Sequence, residues 1–154
     1  MFEFLRAVEI DAEAGSAKGE AVLDVGVALL RDHFHDQTLL PGSWLVEMGA
    51  QVAGLLCEEV FQREGGERRF AILGMIRNAT FPRPTFLPAR LEIGAEILRK
   101  EEGYCLSRVT VLVEGEAHMR AELVMTMNDS RDDWGPALEA RAERLQRILR
   151  RNDG

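Results

Sequence analysis

Residues 43 to 63, "SWLVEMGAQVAGLLCEEVFQR", constrain this chain more than any other stretch, because Trp44, Leu45, Val46, Met48, Val52, Leu55, Leu56, Val60 and Phe61 spread apolar side chains around nearly the whole helical circumference. A helix laid on a surface needs one apolar stripe, whereas a helix apolar all round must be wrapped by the rest of the chain. "REGGE" ends the run. Two residues break the pattern in the chain's most apolar part, 39 to 57. Glu47 and Gln51 lie one turn apart on the same face, so the wrapped helix carries a polar spot, and such a spot lines a cavity or an interface.

The flanking sequence supplies the wrapping. "GEAVLDVGVAL" (19–29) alternates Ala21, Leu23, Val25 and Val27 against polar or small neighbours and predicts a strand. After the helix, "RFAILGMI", "ARLEIGAEILRK", "YCLSRVTVLVEG" and "EAHMRAELVMTMN" all read as strands, the last three separated by tight "EEG" and "EGE" turns. "FPRPTFLP" (81–88) places three prolines between strands and predicts a rim or crossing loop. Beyond the polar "NDSRDDWGP", Leu138, Ala142, Leu145 and Leu149 recur at helical spacing among arginines, which predicts an amphipathic helix over 136–151 whose arginines are read as a solvated face before a partner site. The expected organisation is one domain over 1–129, a central helix followed by an antiparallel meander, with a linker and appended helix over 130–154.

A length of 154 residues suits one core and one site. The net charge of −7 disfavours nucleic-acid binding, although local arginines at 77, 83 and 90 and again at 141, 144, 147, 150 and 151 leave room for an acidic partner. "MFEFLRAVEIDAEAG" lacks the pattern of a signal peptide, and Glu47 and Gln51 interrupt the most apolar segment before it could span a bilayer, so a cytoplasmic location is expected. Cys57 and Cys105 have no CxxC spacing and predict buried free thiols.

The chemistry gathers in "DHFHDQTLLPGSWLVEMGAQ", residues 32 to 51. Pro41-Gly42 leaves free N–H groups at the positive end of the helix dipole, where a carbonyl oxygen gaining negative charge would be held. A nearby histidine, His33, could supply a base and Glu47 an acid. A buried glutamate that simply pairs with an arginine remains the competing reading. His33-x-His35 beside Asp32 and Asp36 raises a metal site, but the third histidine, His118, sits in a distant strand and no thiol cluster is near, so no metal is expected. Ser43 is read as a helix-start residue, since no G-x-S-x-G elbow surrounds it.

His33-Phe34, then Leu40-Pro41-Gly42, then an acid fourteen positions after the histidine at Glu47, resembles the signature of the beta-hydroxyacyl-acyl-carrier-protein dehydratases. "EMGAQVAGLL" is similar to that family's central helix and "ATFPRPTFLPARLEIGAEIL" to its following strand pair, so the likeness covers residues 1 to 128. The chain departs from the pattern at Asp32, where the family has glycine, at His35-Asp36, where it has Pro-Gly, and at "PAR" (88–90), where it has Pro-Gly-Asp. The first two departures alter the loop that shapes the pocket wall. The helix after residue 130 is not part of the usual domain.

The resemblance implies an α+β hotdog fold, a curved antiparallel sheet around the long central helix. It implies dehydration of a 3-hydroxyacyl thioester on acyl carrier protein to a trans-2-enoyl thioester, with no cofactor. His33 would remove the C2 proton, the Gly42 N–H would stabilise the enolate-like oxygen, and Glu47, neutral through burial, would protonate the departing hydroxyl. Phe34, Leu40, Pro41 and Gln51 would line the substrate, Gln51 orienting Glu47 or a water. It also implies a homodimer, alone or in an assembly of dimers, with histidine and acid at each site drawn from different subunits. Arg83 and Arg90 bracket the proline-rich rim and are the expected carrier-protein contacts, with the C-terminal arginines as the alternative. A hotdog thioesterase and a non-catalytic acyl-binding scaffold are the competing functions.

Overall fold

The computed structural model describes residues 4–24, 38–65, 68–129 and 135–151. Strands β1 (Leu5–Asp11) and β2 (Ser16–Leu23) form a hairpin, β3 (Leu39–Leu40) leads into helix α1 (Gly42–Arg63), and β4 (Arg69–Thr80) follows it. β5 (Thr85–Phe86) interrupts the proline-rich segment, and β6 (Ala89–Lys100), β7 (Tyr104–Val113) and β8 (Glu116–Asp129) form the meander. Helix α2 (Gly135–Ile148) and β9 (Leu149–Arg151) close the chain. Seven strands make one sheet in the order β4-β8-β7-β6-β2-β1-β9, and β3 and β5 form a separate two-stranded ribbon.

Alternation in the sequence decides which face of this sheet is inside. On β6, Ala89, Leu91, Ile93 and Ala95 are buried while Arg90, Glu92 and Glu96 are exposed. On β7, Cys105, Ser107, Val109 and Val111 are buried, and Arg108 faces out. These inner faces enclose α1, of which Leu45, Val46, Met48, Ala50, Val52, Ala53, Leu55, Leu56 and Cys57 are all buried. Close approach depends on Gly49, where a Cβ would fall 2.6 Å from Val109 Cγ1. The result is the expected hotdog arrangement of a curved antiparallel sheet wrapped around one helix. At the β7–β8 turn, Glu114 and Gly115 take φ of +50° and +79°, the pair of positive angles that closes a two-residue hairpin without splaying its strands.

Besides β1 and the short β3, which no pattern above predicts, the expected and observed elements differ chiefly at three places. Only the first part of the predicted strand over 19–29 lies among the described residues, as the end of β2. The proline-rich segment is not wholly irregular, because Thr85 and Phe86 pair with Leu40 and Leu39. The appended helix ends at Ile148 rather than 151, because Leu149, Arg150 and Arg151 pair parallel with Val8, Glu9 and Ile10. The β1 edge would otherwise present unpaired N–H and C=O groups, which a neighbouring extended segment satisfies. Ile148 and Leu149 pack against the core beneath.

Candidate active site

The N-terminus of α1 is built by contacts from outside the helix. Pro41, with φ −59° and ψ 139°, is the residue before it; the Trp44 N–H donates to the Pro41 carbonyl at 3.0 Å, and no side chain among the described residues caps the end. The Gly42 and Ser43 N–H groups precede the first intrahelical bond, the position at which a helix N-terminus can meet a ligand oxygen. Gly42 is glycine for want of space: a Cβ there would lie 2.8 Å from Phe81 Cε1, so the Phe81 ring rests on the helix start. Leu40, just before it, is buried. The β3–β5 ribbon is closed by the Leu87 N–H donating to the Thr38 carbonyl at 2.8 Å and by Thr38 Oγ1 donating to the Leu87 carbonyl at 3.1 Å.

Glu47 and Gln51 meet as the spacing predicts, with Gln51 Nε2 donating to Glu47 Oε1 at 2.9 Å. Gln51 is buried, but Glu47 is exposed in the single chain, which corrects the expectation that the helix wrapping buries it. The reason is geometric. Gln51, one turn farther along α1, is covered where Glu47, nearer the helix start, is not. His33, Phe34 and His35, with Asp32 and Asp36, lie outside the described residues.

The expected carrier contacts are held separately. Arg83 Nε pairs with Glu116 Oε2 at 3.3 Å and Arg83 Nη1 donates to the Ala117 carbonyl at 3.1 Å, fixing Arg83 to the start of β8. Arg90 projects from the outer face of β6 and pairs with Glu20 Oε2 of β2 at 3.4 Å. β8 and β2 stand three interstrand steps apart in the sheet, about 14 Å. A cavity of about 440 Å³ lined by Asp11, Lys18, Gly94, Glu96, Arg108 and Thr110 opens on the outer face of the sheet, away from α1, and none of the candidate catalytic residues lines it.

Two buried polar contacts have no simple signal in the sequence. Thr85 Oγ1 and His118 Nδ1 lie 2.8 Å apart, both residues buried. His118 is the extra residue of a bulge on β8, between the pairs Val111–Met119 and Leu112–Ala117. Farther along α1, Glu58 accepts from Arg141 Nη1 at 3.2 Å and from the Ala71 N–H at 3.0 Å. Burial holds the Glu58 carboxyl above the usual carboxylate range, against the opposing pull of the Arg141 guanidinium. Arg141 is thus no member of a solvated face: its side chain is only 16% exposed. Cys57 and Cys105 are free and buried as expected; Cys57 Sγ lies 3.7 Å from Ser107 Oγ, and the neighbouring Cys105 thiol together with burial raises the Cys57 thiol. Among the described residues no three His, Cys, Asp or Glu side chains gather as a metal site, and no helix is long and apolar enough to cross a membrane.

Known proteins share this fold. Residues 2–122 match the model of the FabA-like domain. The 3-hydroxyacyl-[acyl-carrier-protein] dehydratase FabZ of Mannheimia succiniciproducens is 32% identical over 116 residues, 75% of this chain and 76% of that protein. Among solved structures, the dehydratase heterocomplex ApeI:P from Xenorhabdus doucetiae superposes with a TM-score of 0.67 at 15% identity, over 82% of this chain and 84% of that one. A Haemophilus influenzae thioesterase superposes at 0.60 and 12% identity, over 77% and 76%. The two structural likenesses concern the fold alone. The match over most of the chain and the aligned relative go further: the chain belongs to the FabA-like family, the hotdog-fold 3-hydroxyacyl-acyl-carrier-protein dehydratases.

Proposed function

We propose that the protein dehydrates a (3R)-3-hydroxyacyl thioester, carried on acyl carrier protein, to the trans-2-enoyl thioester in the building of acyl chains. The observation that carries this reading is the uncapped N-terminus of α1, with Gly42 at its start and the hydrogen-bonded Glu47–Gln51 pair on the same helix. His33 removes the C2 proton while the Gly42 N–H holds the thioester oxygen as it gains charge. Glu47 protonates the 3-hydroxyl, water leaves, and the electrons of the C2–H bond become the C2=C3 double bond. Gln51 keeps the Glu47 carboxyl turned to the substrate.

The acid in this scheme works best shielded from water, and Glu47 is exposed in one chain. A second copy supplies that shielding in this reading. β4 is a sheet edge on which Met75 and Ile76 are exposed, and Phe81, against the helix start, and Phe86 of β5 are exposed as well. An edge of this kind invites pairing with another strand, and a homodimer across it would cover Glu47 and bring a partner's loop to each site. Arg83 and Arg90 would meet the acidic carrier protein at the tunnel mouth, in a cytoplasmic enzyme without cofactor or metal.

Thioester hydrolysis is the second reading, favoured by the same exposure of Glu47, since a solvated carboxylate can activate water. One experiment separates the two. The protein is incubated with 3-hydroxyacyl thioesters of graded length on acyl carrier protein and on coenzyme A, with mass detection of water loss and a thiol reagent present. Loss of water without thiol release supports dehydration; thiol release overturns it in favour of hydrolysis, and acyl binding without either product points to a scaffold.

A further inference from the structure

We propose that His118, acting through Thr85, is a positioning residue for the α1 N-terminus: their buried hydrogen bond ties the β3–β5 ribbon to β8 and so sets where the Gly42 amide stands. The proposal deepens the dehydratase reading and rests on it for its kinetic part. The chain of contacts is short. His118 Nδ1 and Thr85 Oγ1 are 2.8 Å apart, Thr85 is the ladder partner of Leu40, and Leu40 is followed directly by Pro41 and Gly42.

Among the described residues no other buried side-chain hydrogen bond ties the ribbon to the sheet. β3 and β5 are two residues each, and a two-stranded ribbon alone is marginal in water. The ribbon therefore depends on its attachments. Arg83 provides a second one, to Ala117 and Glu116, but its side chain is 46% exposed, whereas Thr85 is 2% exposed and His118 9%. The buried bond is the stiffer of the two, because neither group has water as an alternative partner. A neutral imidazole has one donor and one acceptor nitrogen, and a hydroxyl complements either, so the contact can form in both tautomers. The β8 bulge turns the imidazole toward Thr85.

An amide that stabilises developing charge works only within a narrow range of position, and a shift of about 1 Å can cost on the order of a hundredfold in rate. Loosening the tether should therefore lower kcat, because the amide's hold on the thioester oxygen strengthens only as charge develops there.

The test uses His118→Leu, Thr85→Val, the double variant and His118→Asn in the full-length protein. Two readouts are taken: dehydration kinetics on a short 3-hydroxyacyl thioester, and amide hydrogen exchange over residues 38–46. His118→Leu and Thr85→Val should each lower kcat by about ten- to a hundredfold and speed exchange at 38–42. The double variant, which leaves no buried polar group unpaired, should recover stability and remain slow. His118→Asn, which can still reach Thr85, should regain most of the rate. A double variant with wild-type kcat, an asparagine variant as slow as the leucine one, or unchanged exchange at 38–42 would each overturn the proposal. If the wild-type protein dehydrates nothing, the function reading fails by itself, and the exchange measurement, which needs no substrate, still decides whether the tether exists.

Discussion

Replacing Arg141 with methionine leaves the Glu58 carboxyl between α1 and α2 with the Ala71 N–H as its retained bond from the pair described above. The side chains are 16% and 11% exposed, so solvent cannot take over most of what the guanidinium provided. Breaking a fully buried pair costs about 3–5 kcal/mol; partial exposure and the remaining Ala71 bond reduce this to about 2–4 kcal/mol at neutral pH. For a chain of this size that is a fall in Tm of about 5–15 °C at fixed protomer concentration. The pH dependence supplies a sharper check. Burial already raises the Glu58 carboxyl, so between the ordinary carboxylate value and the folded value the native chain binds a proton that the unfolded chain has lost. Stability from this group therefore falls as pH rises through that window, and removing Arg141 extends the window upward. Urea denaturation at about pH 8 and about pH 5 should show a larger penalty for Arg141→Met at the higher value, with Glu58→Gln/Arg141→Met nearly insensitive to pH. The reasoning is refuted by a penalty below about 0.5 kcal/mol at high pH with α2 still protected from proteolysis, or by equal penalties at both pH values.

Glu47→Gln should leave the thermal transition nearly unchanged, because Glu47 is exposed, and lower turnover on a confirmed 3-hydroxyacyl thioester by about 10²–10⁴-fold; near wild-type turnover would remove Glu47 from the mechanism. Gly49→Ala places a Cβ 2.6 Å from Val109 Cγ1 and 3.3 Å from Met119 Cε, both in fully buried residues. It should cost about 1–3 kcal/mol by urea denaturation despite the better helix propensity of alanine, and an unchanged midpoint would mean that α1 can slide on the sheet. Charge reversal at Arg83 and Arg90 together should raise KM for carrier-protein substrates in a salt-dependent way and spare short soluble thioesters; equal effects on both would mark the arginines as structural, as their pairing with Glu116 and Glu20 permits.

The parts of this fold that were legible in the sequence are those written in short-range periodicity. The circumferential apolar pattern from Trp44 to Phe61 required a wrapped helix, and α1 begins one residue from the expected start and ends at Arg63. The period-two pattern of Ala89, Leu91, Ile93 and Ala95 against Arg90, Glu92 and Glu96 located β6 at both ends. The Glu47–Gln51 contact was legible because four residues is one helical turn, so no knowledge of the fold was needed. The exposure of Glu47 was not legible, since an apolar helix circumference says that something covers each face without saying whether this chain or another one does.

Buried polar groups mark the other boundary of what a sequence can say. Each polar residue in an apolar environment announces that a partner exists, because leaving it unpaired is costly. It does not announce which partner. Glu58 interrupts the helix pattern as plainly as Glu47 does, yet its cation comes from Arg141, 83 residues away on an appended helix whose arginines read locally as a solvated face. Thr85 stands among prolines and His118 in an alternating strand; only a bulge on β8 brings them together across 33 residues. Both contacts exist because the topology closes the loop, and the sequence separation that hides them makes them informative once seen. Each joins an element near the core helix to one that could otherwise move independently: Arg141 holds α2 to the far half of α1, and His118 holds the ribbon at its near end. The candidate chemistry sits at the near end. A change at His118 should therefore alter kcat before it alters global stability, and a change at Arg141 should do the reverse.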